Sequence, residues 1–295
     1  GAAARAVQSC DLVVVGSGAG GLATAVTAAH LGLEVVLIEK EAQLGGTTAW
    51  SGGWMWLPRN PLAIEAGIVE DAEAPRRYLR AELGNAYDEA FAAMLLEQGP
   101  RMVEFFRRHT SLAFVDGNAI PDFHGRSPGA GTGGRSLCAA PFDGRQLGRR
   151  IRDLKPPLDL ISPFGMGIAS GRDLGHFLKA TRSLPAFLHV ARRLLRHGLD
   201  RLRHGRGMHL VNGNALVARL LKSADDLGVA IRTACPARRI LVEEGRVAGV
   251  VAGLQGHEIE IRARRGVVLA AGGFPQDPDR TRRHFKHLAS HTAHA

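Results

Sequence analysis

The residues best placed to do chemistry lie near the start of the chain. GSGAGG at 16–21 sets Gly16, Gly18 and Gly21 in a G-x-G-x-x-G register, with Ser17, Ala19 and Gly20 as small fillers. In this pattern the first glycine makes a tight turn and the second lets the backbone approach a pyrophosphate. The third lets a helix pack closely on a sheet. A helix starting there offers free N–H groups and a partial positive charge to phosphate oxygens. Glu39, followed by Lys40, stands at the tip of the next apolar run. A carboxylate there accepts hydrogen bonds from a ribose diol and disfavours a 2′-phosphate. The plainer alternative is an ordinary glycine turn between strand and helix. Ala25 on the packing face and Gly32 at the helix end agree with the nucleotide reading.

A second glycine loop follows at once, EKEAQLGGTTAWSGG at 39–53. Gly45 and Gly46 permit close backbone approach, Thr47, Thr48 and Ser51 supply hydroxyls, and Gly52 and Gly53 leave room for a flat ring. A nicotinamide dinucleotide has no evident need of such a loop, whereas a bulky isoalloxazine does. The expected cofactor is FAD, with VVLAAGGF (267–274) on the far side of its site.

These residues need elements to hold them. DLVVV (11–15) reads as a buried strand, 20–30 as a small-residue helix and 34–38 as a second strand, a βαβ unit with a right-handed crossover. An ordered loop is expected over 43–61, then helices near 71–83, 87–97 and 101–109, parted by Gly84 and Gly99-Pro100. Residues 116–150 read as a long structured loop. A basic helix is expected at 186–204, or two split at Gly198. Asn212 or Asn214 can cap a helix running to about 227, and VAIRT (229–233) reads as a third core strand. RILV, VAGVVA and EIEIRA form an antiparallel meander turned at Glu244-Gly245 and Gln255-Gly256. GVVLAAGG (266–273) is expected as a further buried strand, before a His- and Arg-rich helix. The fold class is α/β: a Rossmann-type FAD-binding domain, 1–54 plus 206–295, with that meander and an inserted helical and loop region at 55–205.

The 295 residues, 45% hydrophobic and 22% charged, belong to a globular protein rather than a disordered one. Lys and Arg exceed Asp and Glu by 38 − 28 = 10. Only five of these cations are Lys and aromatics are 5%, so nucleic acid is not an expected partner. Cys10, Cys138 and Cys235 are far apart and form no CxxC, so neither a disulfide framework nor a metal site is expected, and a reducing cytoplasm fits. No apolar run reaches the length of a membrane span, and the opening GAAARAVQSC does not read as a secretory signal.

The chain resembles the flavoprotein subunits of fumarate reductase and succinate dehydrogenase, within them the 3-ketosteroid dehydrogenase-like branch. The resemblance is carried by VVVGSGAGGLATAVTAAHLGLEVVLIEK, GGTTAWSGGWMWLP, GGRSLCAAPFDGRQLG, NGNALVARLL and GVVLAAGGF, and runs over essentially the whole chain. It implies an FAD oxidoreductase that adds or removes hydrogen across a C–C bond beside a carbonyl. Its partners would be a lipophilic ketone, or in the alternative a dicarboxylate, and an electron acceptor. A flavin-binding fragment without catalysis of its own is a further alternative. The resemblance sets Glu39 and Lys40 beside the adenosine ribose, Ala237 near adenine, Thr47 to Gly53 along pyrophosphate and flavin, and Ala271, Gly272 and Gly273 on the adenosine side. Loop 45–53 holds no His where tethered relatives carry one, which implies noncovalent FAD. Steroid enzymes carry a tyrosine after a Pro-Asp pair; here IPDFHG puts Phe123 there, which can pack against substrate but cannot move a proton. His124 is a weak catalytic candidate beside it, and Arg126, Arg135 and Arg145 are candidates to meet an anionic or carbonyl oxygen. Members continue beyond Ala295, so a catalytic cap domain is expected past the C-terminus. The helix at 186–204 suits an anionic membrane surface; the plainer reading packs its Leu face inward and leaves its Arg face wet.

Overall fold

A computed structural model describes residues 6–274 and 277–285. In chain order the first elements are β1 (Ala6–Val15), α1 (Ala19–His30), β2 (Val35–Ile38), β3 (Trp54–Trp56), α2 (Pro61–Glu65), α3 (Glu73–Leu83), α4 (Glu89–His109), β4 (Phe114–Asp116), β5 (Ser136–Ala139) and β6 (Phe142–Asp143). There follow α5 (Arg172–Leu178), α6 (Leu184–His204), β7 (His209–Leu210), α7 (Asn212–Asp226), β8 (Ala230–Arg232), β9 (Ala237–Glu243), β10 (Arg246–Leu254), β11 (His257–Leu269) and α8 (Pro278–His284). They group into two units, one of the described residues up to Ser51 and from Phe142 on, the other Gly52–Pro141. Segment 142–205, expected within the insertion, groups with the first unit. There β6 pairs antiparallel with β7, and Leu44 bridges Leu154.

The first unit is built on a six-stranded sheet, ordered β8-β2-β1-β11-β10-β9. β8, β2, β1 and β11 run parallel, and β11, β10 and β9 are antiparallel. All four residues of β2 are buried, the continuous apolar run of a parallel strand covered on both faces. On one face Cys10, Val13, Val36, Ile38, Val250 and Ile261 share a core. Each large aliphatic side chain so buried stabilises the fold by about 1.5–3 kcal/mol. α1 and α7 pack against each other. α1 buries Leu22, Ala25, Val26 and Ala28 and ends where Gly32 turns left-handed at φ 84°.

Three strand expectations change here. The last meander strand and the first four residues of GVVLAAGG are one continuous strand, β11, because residues 257–262 pair with β10 and residues 259–269 with β1. VAIRT gives an edge strand rather than a core one: among the described strands β8 pairs in the sheet with β2 alone, and Ala230 is exposed. β1 begins five residues before DLVVV, because β11 offers Ile259 to Ala263 as partners for residues 6–10. The meander turns fall where expected, with Glu244 and Gln255 left-handed.

Helix ends differ as well. α6 runs unbroken through Gly198. Neither Asn212 nor Asn214 caps α7 with its side chain; both reach carbonyls outside that helix, Asn212 that of Ile168 (2.9 Å) and Asn214 those of Ala49 (3.2 Å) and Lys155 (2.9 Å). The expected His- and Arg-rich helix is present as α8, and residues 286–295 lie outside the described residues.

The second unit has a small antiparallel sheet, β3-β5-β4, whose Met55, Phe114 and Leu137 share a core with Leu62 of α2 and Val103 of α4. β3 falls inside the expected loop 43–61, and β5 and β6 inside the loop expected over 116–150. Their short runs become strands only through partners far along the chain, Trp54 with Cys138 and Phe114 with Ala139. α4 replaces two expected helices and contains Pro100. A proline forfeits one helical N–H, but here the buried face of Ala92, Gly99, Val103 and Phe106 continues across it. Gly99 admits Leu57: a Cβ there would stand 2.7 Å from Leu57 Cδ2.

Candidate functional site

β1 ends in the first glycine turn, and the protein's own backbone dictates two of its glycines. Gly16 sits at φ 104° and donates its N–H to the Ile38 carbonyl at 2.8 Å. A Cβ on it would lie 2.8 Å from the Ala270 carbonyl carbon and nearer still to its oxygen. A Cβ on Gly21 would lie 2.9 Å from the Gly16 carbonyl carbon, again nearer its oxygen. Gly18 and Gly20 are under no such constraint. Gly18 has ordinary extended backbone, and its Cβ would meet only Thr48 Oγ1 at 3.5 Å. At Gly20 nothing stands within 4 Å.

The second glycine loop folds over the start of α1. Thr48 Oγ1 accepts the N–H of Ala19 at 3.0 Å. The amides of Gly20 and Gly21 lie in the first helical turn, where no earlier carbonyl of the helix can serve them. A Cβ on Gly46 would have the Gly18 Cα as its nearest neighbour, at 4.0 Å, so two bare glycines face one another beside the helix end. Gly45, at φ 116°, is needed for packing, because a Cβ there would stand 2.9 Å from Ala49 Cβ and 3.1 Å from Val217 Cγ1. α7 braces the loop from behind: Gly213 donates to Ser51 O at 3.0 Å, and a Cβ on Gly213 would press to 2.6 Å from Ser51 Oγ. Thr47 and Ser51 are exposed, and Ser51 Oγ donates to Thr48 O at 2.9 Å.

Glu39 closes β2 and is buried. Its Oε2 accepts from Ser17 N (3.0 Å) and Ser17 Oγ (2.6 Å), its Oε1 from Glu41 N (3.0 Å), while Ser17 Oγ accepts Gly45 N at 2.9 Å. Of about four lone-pair positions on a carboxylate, three are thus in use. Lys40 is exposed and pairs with Glu41 at 3.4 Å. Cys235 N donates to Glu39 O at 2.8 Å, which draws the chain entering β9 at Ala237 past this strand end. Ala271, Gly272 and Gly273 are exposed and follow Ala270, whose N–H bonds the carbonyl of Val15 at 2.8 Å. Gly52 and Gly53 open the second unit, where Gly52 O accepts from Cys138 Sγ at 3.5 Å.

Two further residues join the first unit's site. Lys155 Nζ lies 3.5 Å from the centre of the Trp50 ring, and burial pushes its pKa below the usual lysine value. Asn214 spends its amide hydrogens on Ala49 O and Lys155 O, and its buried Oδ1 has no partner among the described residues. Buried acceptors in native folds are nearly always satisfied. Among the described residues nothing bonds this atom, so it is free to accept one more hydrogen bond. A cavity of about 410 Å³ lies beside it, lined by Ser51, Asn212 and Asn214 and by Phe164, Arg201 and Arg206. Sequence reasoning missed Lys155, Gly213 and Asn214. The NGN triplet was read as a helix cap and within a stretch carrying the resemblance, with no site role given to it, and Lys155 carries no local signal.

Several sequence candidates are committed to other contacts. In the second unit Arg135 is buried and bonds Asp122 Oδ2 and Glu70 Oε1, each at 2.6 Å. Trp56 Nε1 and Gly131 N also donate to Asp122, at 2.7 and 2.8 Å. His124 is paired with Glu82, which Ser127 also holds at 2.5 Å. These bonds, that of Ser127 first, keep the Glu82 carboxyl below its ordinary range. Phe123 is fully exposed and Arg126 is exposed. In the first unit Arg145 pairs with Asp143 and Asp200.

The site suits a dinucleotide with a diphosphate. Free amides and a helix dipole meet at the start of α1, Gly18 and Gly46 leave open space beside it, and Glu39 keeps one acceptor position in reserve. Comparison with known proteins agrees. A family profile described as FAD binding domain matches residues 11–295. The chain is 36% identical over 287 residues to a 4-oxocyclohex-2-ene-1-carboxylate 5-dehydrogenase of Sinomonas cyclohexanicum, covering 97% of this chain and 48% of that protein. It is 34% identical to a 3-oxosteroid 1-dehydrogenase of Mycolicibacterium smegmatis, over 90% of this chain and 47% of that one. A solved 3-ketosteroid delta1-dehydrogenase from Sterolibacterium denitrificans superposes with a TM-score of 0.82 at 31% identity, covering 94% of this chain and 50% of that chain. The chain spans about half the length of the curated relatives it matches.

Proposed function

The chain belongs to the FAD binding domain family, and on that premise we propose that it is the cofactor-holding part of an FAD-dependent dehydrogenase or reductase. The reaction would fall on a C–C bond next to a carbonyl, with a lipophilic cyclic ketone as substrate. The observation that carries this reading is the open pair Gly18 and Gly46 at the start of α1, with Glu39 at the next strand end. The Gly20 and Gly21 amides would hold the diphosphate, and Glu39 would accept a ribose hydroxyl. Thr48 would fix the second loop on the helix end, and Asn214 Oδ1 would take a donor further along the cofactor. Bound flavin supplies a two-electron acceptor for a hydride leaving the carbon β to the carbonyl. Loop 45–53 offers no histidine for a covalent tether, which supports noncovalent binding. Arg135 and Arg145 are held in ion pairs, which weighs against their use on a dicarboxylate. Cys10, Cys138 and Cys235 are free thiols, which supports a cytoplasmic location.

The test is the absorption spectrum of the purified full-length protein, followed by anaerobic titration. The expected product is yellow and is bleached by a 3-oxosteroid or a 4-oxocyclohexanecarboxylate, and acid denaturation releases its flavin into the filtrate. A colourless protein that takes up no FAD would refute the cofactor reading. Bleaching by succinate but by no cyclic ketone would overturn the substrate class, and flavin retained on denatured protein would overturn noncovalent binding.

A further inference from the structure

The side of α6 turned to solvent is its apolar one. Leu184, Phe187, Leu188, Leu195, Leu199 and Leu202 recur at helical spacing along one side, and all are exposed, Leu184 and Leu202 at 70% and 85%. The polar side packs on the fold instead. His189 Nε2 and Arg193 Nη1 reach Asp173 at 2.7 and 2.9 Å, His197 Nε2 meets the Phe164 carbonyl at 3.0 Å, and Asp200 accepts Met208 N at 3.1 Å. A helix on the surface of a water-soluble fold does the reverse. The expectation that the Leu face packs inward is therefore overturned. The adjoining segments share the character: Leu160, Phe164 and Leu178 are 87%, 76% and 75% exposed.

The charge around this stripe selects what covers it. Arg192, Arg196 and Arg203 border it on one side, exposed and without an ion-pair partner among the described residues. Residues 172–206 hold nine Arg and Lys against two Asp, and both aspartates are already paired, Asp173 with Arg193 and Asp200 with Arg145. A second copy of the chain would bring the same cations against themselves. An apolar stripe flanked by arginines matches a helix lying in the headgroup layer of an anionic bilayer, with its cationic stems reaching outward along the apolar surface.

We infer that α6 lies flat on an anionic lipid surface, its Leu stripe in the acyl boundary and Arg192, Arg196 and Arg203 on lipid phosphates. Phe164 and Arg201 also line the 410 Å³ cavity beside Ser51, so a ketone dissolved in lipid would meet the protein there. That purpose rests on the substrate class proposed above; the membrane contact does not.

Flotation of the full-length protein with phosphatidylcholine vesicles, with and without phosphatidylglycerol, tests the inference. Binding is expected only to the anionic vesicles, and it weakens with salt. Leu188→Glu/Leu195→Glu/Leu202→Glu abolishes it with circular dichroism and flavin content unchanged. Arg192→Gln/Arg196→Gln/Arg203→Gln weakens it by about a hundredfold. No binding to anionic vesicles, or equal binding by the Leu→Glu variant, overturns the inference. So does a wild-type dimer that this variant converts to monomer, since a second copy would then cover the stripe.

Discussion

The two kinds of glycine at the turn give a sharp prediction, in which Gly21→Ala damages the fold and Gly18→Ala does not. At Gly21 the new methyl would stand 2.9 Å from a carbonyl carbon, where carbon atoms rest at about 3.5–4.0 Å. Both sides of that contact are backbone, and Gly16 is pinned by its bond to Ile38. The cost therefore lies at the upper end of overpacking, about 3 kcal/mol. At about 2–4 °C per kcal/mol that lowers the melting temperature of the flavin-free protein by about 6–12 °C. Gly18 has φ −69° and ψ −176°, which alanine adopts freely, and its nearest neighbour would stand 3.5 Å away. The small loss of replacing glycine at a helix N-cap and the small gain from a stiffer unfolded chain offset each other, leaving a net change within about 1 kcal/mol. Gly18→Val is then expected to raise the FAD dissociation constant at least about tenfold, equivalent to about 1.4 kcal/mol, with the flavin-free melting temperature nearly unchanged. Thermal unfolding of flavin-free protein and quenching of flavin fluorescence on titration measure the two effects separately. If Gly18→Ala melted as low as Gly21→Ala, or Gly18→Val bound FAD like the parent, the division between fold glycines and ligand glycines would be wrong.

Arg135→Met should cost about 3–5 kcal/mol in denaturant unfolding, because it leaves Asp122 and Glu70 as poorly compensated carboxylates; a loss below about 1 kcal/mol would show that the cluster relaxes into solvent. Burial, aided by Arg193 and Arg196, lowers the His209 pKa. The unfolded chain therefore binds the proton more readily, and the stability conferred by neutral His209 is present above about pH 6.5 and lost as the pH falls below it. His209→Gln should flatten the decline between pH 7 and 5 by at most about 1.4 kcal/mol per pH unit, and an unchanged slope would assign the decline elsewhere. Burial pushes the Cys138 thiol up to about 11 and raises Cys10 and Cys235 too. A thiol reagent at mild alkaline pH should find three reactive cysteines only after denaturation, and rapid labelling of the native protein would contradict the burial.

The legible parts of the fold were those written in short stretches of chain. GSGAGG between two β-branched runs specified strand, turn, helix and strand, and Glu-Gly and Gln-Gly specified the meander turns. Each depends on the conformations its own few residues allow. Pro100 misled because a local helix breaker was outweighed by burial on both sides of it, whereas of the two readings left open at Gly198 the unbroken helix is the one found. β3 and β5 escaped notice because three or four residues become a strand only when a distant partner arrives.

The same distinction separates the parts of the site. The sequence alone determined that a glycine turn, an acid at the next strand end and a second glycine loop occur in that order. Tertiary structure decided that Gly16 and Gly21 serve the backbone while Gly18 and Gly46 stay open. It also set Asn214 behind the loop with an acceptor to spare, tied Arg135 and His124 to carboxylates, and turned the leucines of α6 outward. Residue type and spacing fix what a segment can do by itself. Which atoms face it is set by chain arriving from far away, and no local pattern encodes that.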